Sequence, residues 1–177
     1  IGVRVELSWR AGTEERSAIV TKRLVTIPTV SQTKVFDLDG RIVGYLHFRN
    51  FVEPSVVALD AAFANFRATG VQDLILDLRY NGGGLISVAQ HLAGLIAGGR
   101  TNTKVFLEFF HNDRQTERNR VSRFADPMEA LDLPRVVVIT SGASASASEL
   151  VINGLRPFIP VTIIGERTYG KPVGQYS

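Results

Sequence analysis

LILDLRYNGGGLISVAQHLAGLIAGG, residues 74–99, decides the fold class. Residues 74–78 are apolar but for one Asp, the composition of a nearly buried strand. Three consecutive glycines follow. After them Leu85, Val88, Ala89, Leu92, Leu95 and Ile96 recur at the spacing of one helical face, closed by Gly98 and Gly99. A buried strand, a glycine turn and a helix in direct succession form a unit of an α/β layer fold.

The same alternation continues on both sides. Upstream, VFDLDGRIVGYLHF (35–48) predicts two strands around an Asp39-Gly40 turn. Val56, Leu59, Phe63 and Phe66 then share one face of a helix over 55–69, which Gly70 ends with a left-handed cap. Downstream, 104–110 and 136–140 read as strands, a helix runs from about Ala147 to Leu155, and 161–165 is the last clear strand. In the N-terminal part, Val3, Val5, Leu7 and Trp9 alternate with polar residues, the period of a half-buried strand, and a second strand is expected over 19–27. Such a hairpin is too small to be stable alone and needs a partner sheet. Trp9 and the phenylalanines are expected in the core, and Pro28 to Thr33 marks a boundary.

Composition sets outer limits. With 177 residues, 45% hydrophobic and 21% charged, the chain has the balance of a globular domain with a real core. The formal charge is +3 and the pI near 9.5, yet the cations are scattered rather than striped, and no nucleic-acid partner is expected. The exception is Arg114, Arg118, Arg120 and Arg123, within a polar stretch from Asn112 to Arg123 that reads as a solvated loop, with a lid or docking surface as the functional alternative. No cysteine is present, which excludes disulfides, thiolate zinc ligands and a thiol nucleophile. No run of about 18 apolar residues occurs.

Two strand-to-helix junctions have the composition of a site: RYNGGG (79–84) and SGASASASE (141–149). In the second, Ser141, Ser144, Ser146 and Ser148 precede a helix, and helix capping would account for any one of them. Their small neighbours also allow close approach of substrate, as a nucleophile requires, but a serine nucleophile needs a base. His47 and His91 fall inside predicted elements and His111 opens a polar loop, so a Ser-His-Asp arrangement lacks a well-placed histidine. Lys171, in the turn-rich GERTYGKPVGQ, is the better candidate. A lysine base must be largely neutral near pH 7; lowering the usual value of about 10.4 by roughly three units costs on the order of 4 kcal/mol and requires burial. The glycines of RYNGGG suit a tight turn, a phosphate loop or an oxyanion hole, although the endings of the P-loop and dinucleotide motifs are missing. Glu149 is read as complementing the dipole of the helix it opens, and Asp77 and Arg79 as anchors of the glycine turn.

Together, GYLHFRNF (44–51), LILDLRYNGGG (74–84), VVVITSGASASASEL (136–150) and IIGERTYGKPVGQ (163–175) resemble the C-terminal processing (tail-specific) serine peptidase family. The resemblance covers roughly residues 34–177 and implies a crotonase-like core of ββα units, often preceded by a PDZ domain. It implies that residues 1–30 are the C-terminal part of a PDZ-like domain, largely missing, and that 31–177 are the catalytic core, cut at Ser177. It further implies Ser146 as nucleophile, Lys171 as base, Gln175 as the residue positioning that lysine, and an oxyanion hole from the N–H of Ala147 and of Gly82 or Gly83. Some members carry an Asp in the helix after the serine; here that region holds Pro157 and no equivalent acid. No metal or organic cofactor is implied. The implied partners are proteins or peptides with free C-termini, the implied location is the bacterial cell envelope, in the periplasm, and peripheral membrane association of the parent fits that picture. Two other functions are open on the same fold: a non-catalytic binding module for a peptide or apolar ligand, and, more distantly, a crotonase-type enzyme using the glycine loop for phosphate or an acyl carrier.

Overall fold

A computed structural model describes residues 1–25 and 27–175. Thr26, inside the expected second strand, and Tyr176 and Ser177, at the end of the expected catalytic core, lie outside the described residues. The elements run β1 (Arg4–Ala11), β2 (Glu14–Thr21), β3 (Val30–Leu38), β4 (Arg41–Phe48), α1 (Ser55–Ala68), β5 (Asp73–Asp77), α2 (Ile86–Ala97), β6 (Val105–Phe109), β7 (Arg120–Arg123), β8 (Val136–Thr140), α3 (Ala147–Leu155) and β9 (Val161–Gly165).

Five strands form one mixed sheet in the order β3-β4-β5-β8-β9. Asp39 and Gly40 both adopt positive φ, 54° and 83°, so the β3–β4 turn needs two residues and sets Leu38 opposite Arg41. The remaining pairs, β4–β5, β5–β8 and β8–β9, are parallel and therefore require crossovers. Each contains a helix: α1 links β4 to β5, α2 followed by the β6–β7 hairpin lies between β5 and β8, and α3 links β8 to β9. At the end of α1, Val71 N–H reaches the Phe66 carbonyl and Gly70 N–H the Arg67 carbonyl, closing the helix through a left-handed Gly70.

The core lies between the sheet and these helices. Leu46, Phe48, Leu74, Leu76, Val136 and Val138 meet Phe63, Phe66, Leu92, Leu95, Val151 and Leu155, all buried. Each fully buried leucine or phenylalanine contributes about 1.5–3 kcal/mol, so the central strands are the most firmly held backbone in the molecule. At the N-terminal end of β5 the half-exposed Arg135 and Arg41 bracket Asp73, and together they hold its carboxyl well below the usual carboxylate range. The opposite, C-terminal ends of β5 and β8 carry both glycine- and serine-rich junctions.

Three expectations change. The second N-terminal strand is Glu14–Thr21, not 19–27, because its register is fixed against β1 from Ala11↔Glu14 outward. Trp9 is 47% exposed rather than in the core: β1 and β2 pair only with each other among the described strands, and a two-stranded sheet has no inner layer. Phe36 and Phe110 are likewise exposed, whereas Phe48, Phe51, Phe63, Phe66, Phe106 and Phe124 are buried as expected. The arginine-rich stretch is not wholly loop, since Arg120–Arg123 is a strand paired with β6.

Candidate active site

The parallel strands β5 and β8 end side by side, so the segments that leave them must pack on each other. The four serines after β8 divide accordingly. Ser144 Oγ donates to the Leu78 carbonyl (2.7 Å) and accepts Ser141 N–H (3.0 Å), while Ser148 Oγ donates to the Asn81 carbonyl (2.9 Å). Ser141 Oγ accepts Tyr80 N–H at 2.9 Å. These three side chains are buried and stitch the two junctions together. Ser146 alone of the four lines the cleft, as the N-cap of α3 with φ 56° and ψ −113°. A non-glycine residue in that region stores on the order of 1–3 kcal/mol of strain, which the surrounding bonds must hold.

The glycine junction is held by Asn81, which is fully buried. Its amide nitrogen donates to the Phe48 carbonyl (2.8 Å) and its Oδ1 accepts Gly83 N–H (3.0 Å). Its carbonyl accepts Ala145 N–H at 3.1 Å. Gly83 has φ +99° and sits so close to the serine turn that a Cβ there would lie 2.7 Å from the Ala145 carbonyl and 2.8 Å from Ser146 Cβ. Gly83 N–H is thus engaged, whereas Gly82 is exposed and lines the cleft, and neither its N–H nor that of Ala147 has an acceptor among the described residues. Just before this loop, Asp77 is buried and takes Tyr45 Oη (2.7 Å) and the Arg79 backbone and guanidinium. Burial pushes the Asp77 carboxyl up, but Arg79 and Tyr45 outweigh it and the net displacement is downward.

The lysine turn hangs from α3. Glu149 Oε2 accepts the N–H groups of Ser146 (2.8 Å) and Lys171 (2.9 Å), and its Oε1 accepts Gly170 N–H (2.6 Å). Tyr169 N–H adds a bond to the Ser144 carbonyl at 2.9 Å. Burial raises the Glu149 carboxyl, yet the donors from Lys171, the Thr168 side chain, Ser146 and Gly170 together bring it below its ordinary value. Lys171 is half-buried and its Nζ donates to Gln175 Oε1 at 2.8 Å. Ser146, Ala147, Gly82, Lys171 and Gln175 therefore border one cleft of about 900 Å³, while Gly83 lies behind its wall.

Asn81 and the bridging role of Glu149 escaped the sequence reading. Ser146-x-x-Glu149 is a legible capping box, which foretells the Glu149–Ser146 bond. Nothing in the spacing foretells the bonds to Gly170 and Lys171, which depend on how β9 returns beside β8.

The chain has relatives of known family and fold. The model of peptidase family S41 matches residues 42–177. The chain is 30% identical over 162 residues to a carboxyl-terminal-processing protease of Synechocystis sp., covering 91% of this chain and 36% of that protein. It is 27% identical over 174 residues to a "Probable CtpA-like serine protease" of Staphylococcus haemolyticus, covering 98% of this chain and 33% of that one. A solved structure described as an S41 protease of Bacteroides fragilis superimposes with TM-score 0.79 at 26% identity, over 95% of this chain and 48% of the other. The photosystem II D1 C-terminal processing protease does so with TM-score 0.63 at 26% identity, over 96% and 45%. These neighbours share the mixed α/β fold, and the chain spans about a third of the length of the curated relatives. The curated relatives are bacterial and are proteases by name.

Proposed function

The chain belongs to peptidase family S41, and from that premise we propose that it forms the catalytic core of a serine endopeptidase in which Ser146 attacks and Lys171 is the base. One observation carries the reading: of four serines at the junction, three are buried in stitching bonds and the strained one opens on the cleft that Lys171 borders.

The chemistry follows from the atoms present. A peptide carbonyl enters beside Ser146, and the unprotonated Lys171 amine takes the hydroxyl proton as Oγ bonds to the carbonyl carbon. The developing oxyanion is met by the N–H groups of Ala147 and Gly82, both open to the cleft, with the N-terminus of α3 behind them. Lys171 then returns the proton to the leaving amine, and water, deprotonated in the same way, releases the acyl group from Ser146. Lys171 Nζ donates to Gln175 Oε1 rather than to Ser146. Such contacts tighten when substrate binds, and the water around the amine leaves as a peptide fills the cleft.

Residues 1–30 are read as the tail of a PDZ-like domain, a reading supported by the self-contained β1–β2 hairpin and by a family match that begins at residue 42. A periplasmic location in the bacterial envelope is part of the same proposal.

The test is cleavage of an unfolded model protein by the full-length protein beside Ser146→Ala and Lys171→Ala. Each folded variant is expected to lose at least about a thousandfold in turnover. Unchanged cleavage by Ser146→Ala sinks the nucleophile assignment. No cleavage by the folded parent favours a binding module instead.

A further inference from the structure

The second wall of the cleft is the β6–β7 hairpin. In its register Leu107 stands opposite Ser122 and Phe109 opposite Arg120. Alternation along each strand places these four on one face, and all four line the cleft. The hairpin is anchored from its other face. The buried Phe106 ring lies against Gly154 of α3, where a Cβ would come within 2.5 Å, and meets Phe124 edge-on at 4.9 Å. Gln90 of α2 also donates to the Arg123 carbonyl. This wall is tied to the helices that flank Ser146.

On it, the Arg120 guanidinium sits 4.3 Å from the centroid of the Phe109 ring. Stacking uses the face of the guanidinium and leaves its N–H edge available. Among the described residues Arg120 makes no ion pair. Two carboxylates border the same cleft: Glu108, which pairs across the strands with Val121, and Glu149, whose oxygens accept the N–H groups of Ser146, Gly170 and Lys171. Arg120 brings to the cleft a guanidinium that stays charged at any working pH. A planar fork of N–H donors beside an apolar ring fits a carboxylate next to an apolar side chain.

We propose that Arg120, stacked on Phe109, determines specificity by selecting peptides that present a carboxylate in the cleft, from a free C-terminus or from an Asp or Glu side chain. The proposal rests on the cleft being the peptidase site.

Binding is measured with the full-length protein carrying Ser146→Ala, using fluorescent peptides in two matched pairs: free C-terminus against C-terminal amide, and internal Glu against Gln. The carboxylate member of at least one pair is expected to bind about tenfold more tightly. Arg120→Gln brings that ratio toward one and Arg120→Glu reverses it, a change that damage to the wall does not produce. The responding pair identifies the source of the carboxylate. A ratio near one in the parent, an unchanged ratio in both variants, or equal loss of both members of a pair overturns the proposal. Cleavage of the same peptides with Ser146 intact is read separately: its absence removes the peptidase reading, while the binding ratio still decides what Arg120 does.

Discussion

The turn that carries Ser146 and the turn that carries Lys171 border one cleft, but they are held by different means. Around Ser146 the neighbours are buried: Asn81, Ser144 and Ser148 are inaccessible to solvent, and their bonds end on Phe48 of β4, on Leu78 just past β5 and on the glycine loop. Around Lys171 the residues are largely exposed, and its turn is tied to the body by the carboxylate of Glu149, the Tyr169–Ser144 bond and, further upstream, bonds of Glu166 to Thr140 and Gly142. Nucleophile geometry is thus a property of the core, and base geometry a property of a few polar contacts. Disturbing the first should cost stability and activity together, whereas disturbing the second should separate them.

Gly83→Ala tests the core side and has the largest expected effect. The added methyl meets backbone on two sides, at 2.7 Å from the Ala145 carbonyl and 2.8 Å from Ala147 N, at a φ of +99°. Positive φ and overpacking together cost about 3 kcal/mol. The urea midpoint should fall and activity with it. A variant of parental stability would mean the two junctions can separate, and the contrast between the sides would fail.

Glu149→Gln tests the other side. One acceptor oxygen becomes a donor facing the N–H groups it formerly bound, so the lysine turn loosens and the Ser146 N–H loses its acceptor too, while the sheet and the Asn81 network are untouched. The expected cost is about 1–2 kcal/mol, with turnover down by roughly ten- to a hundredfold. Amide exchange should quicken at Gly170 and Lys171 and stay slow at Gly83. Equal acceleration at both would place Glu149 in the core network instead.

The same carboxylate predicts a pH dependence. Its folded-state value lies below the ordinary 4.5, so the ionised form is favoured by folding. That contribution is complete above the unfolded value and disappears as pH falls through the lower folded one. The stability difference between parent and Glu149→Gln should therefore be level above about pH 4.5 and shrink below it. A difference that grows on acidification would reverse the sign and show that burial outweighs the four donors.

What the sequence disclosed follows the same division. The buried strands 74–78 and 136–140, the helices after them and the Asp39-Gly40 turn were legible because periodicity and turn chemistry are local. The N-terminal hairpin misled: alternation of Val3, Val5, Leu7 and Trp9 implies a covered face, but periodicity does not say whether a second layer exists. At the site, residue types and order made Ser146 and Lys171 candidates, through resemblance more than through spacing. Asn81 stayed hidden because its bonds reach Phe48, 33 residues away, and Glu149 because its bonds reach a turn 21 residues on.

Gln175→Ala is expected to have the smallest effect, and it sharpens the contrast within the base side itself. Gln175 is exposed, and its Oε1 accepts the tip of Lys171 through one bond of 2.8 Å. Water can replace that acceptor, so stability should move by no more than about 0.5 kcal/mol, as exposed charged contacts do. Turnover should fall a few-fold through freer motion of the amine, with the Gly170 amide still protected. If turnover instead falls as far as in Glu149→Gln, the position of the amine is set at its tip rather than through the backbone of its turn. The base side would then rest on Gln175, and Glu149 would matter chiefly as the partner of Ser146.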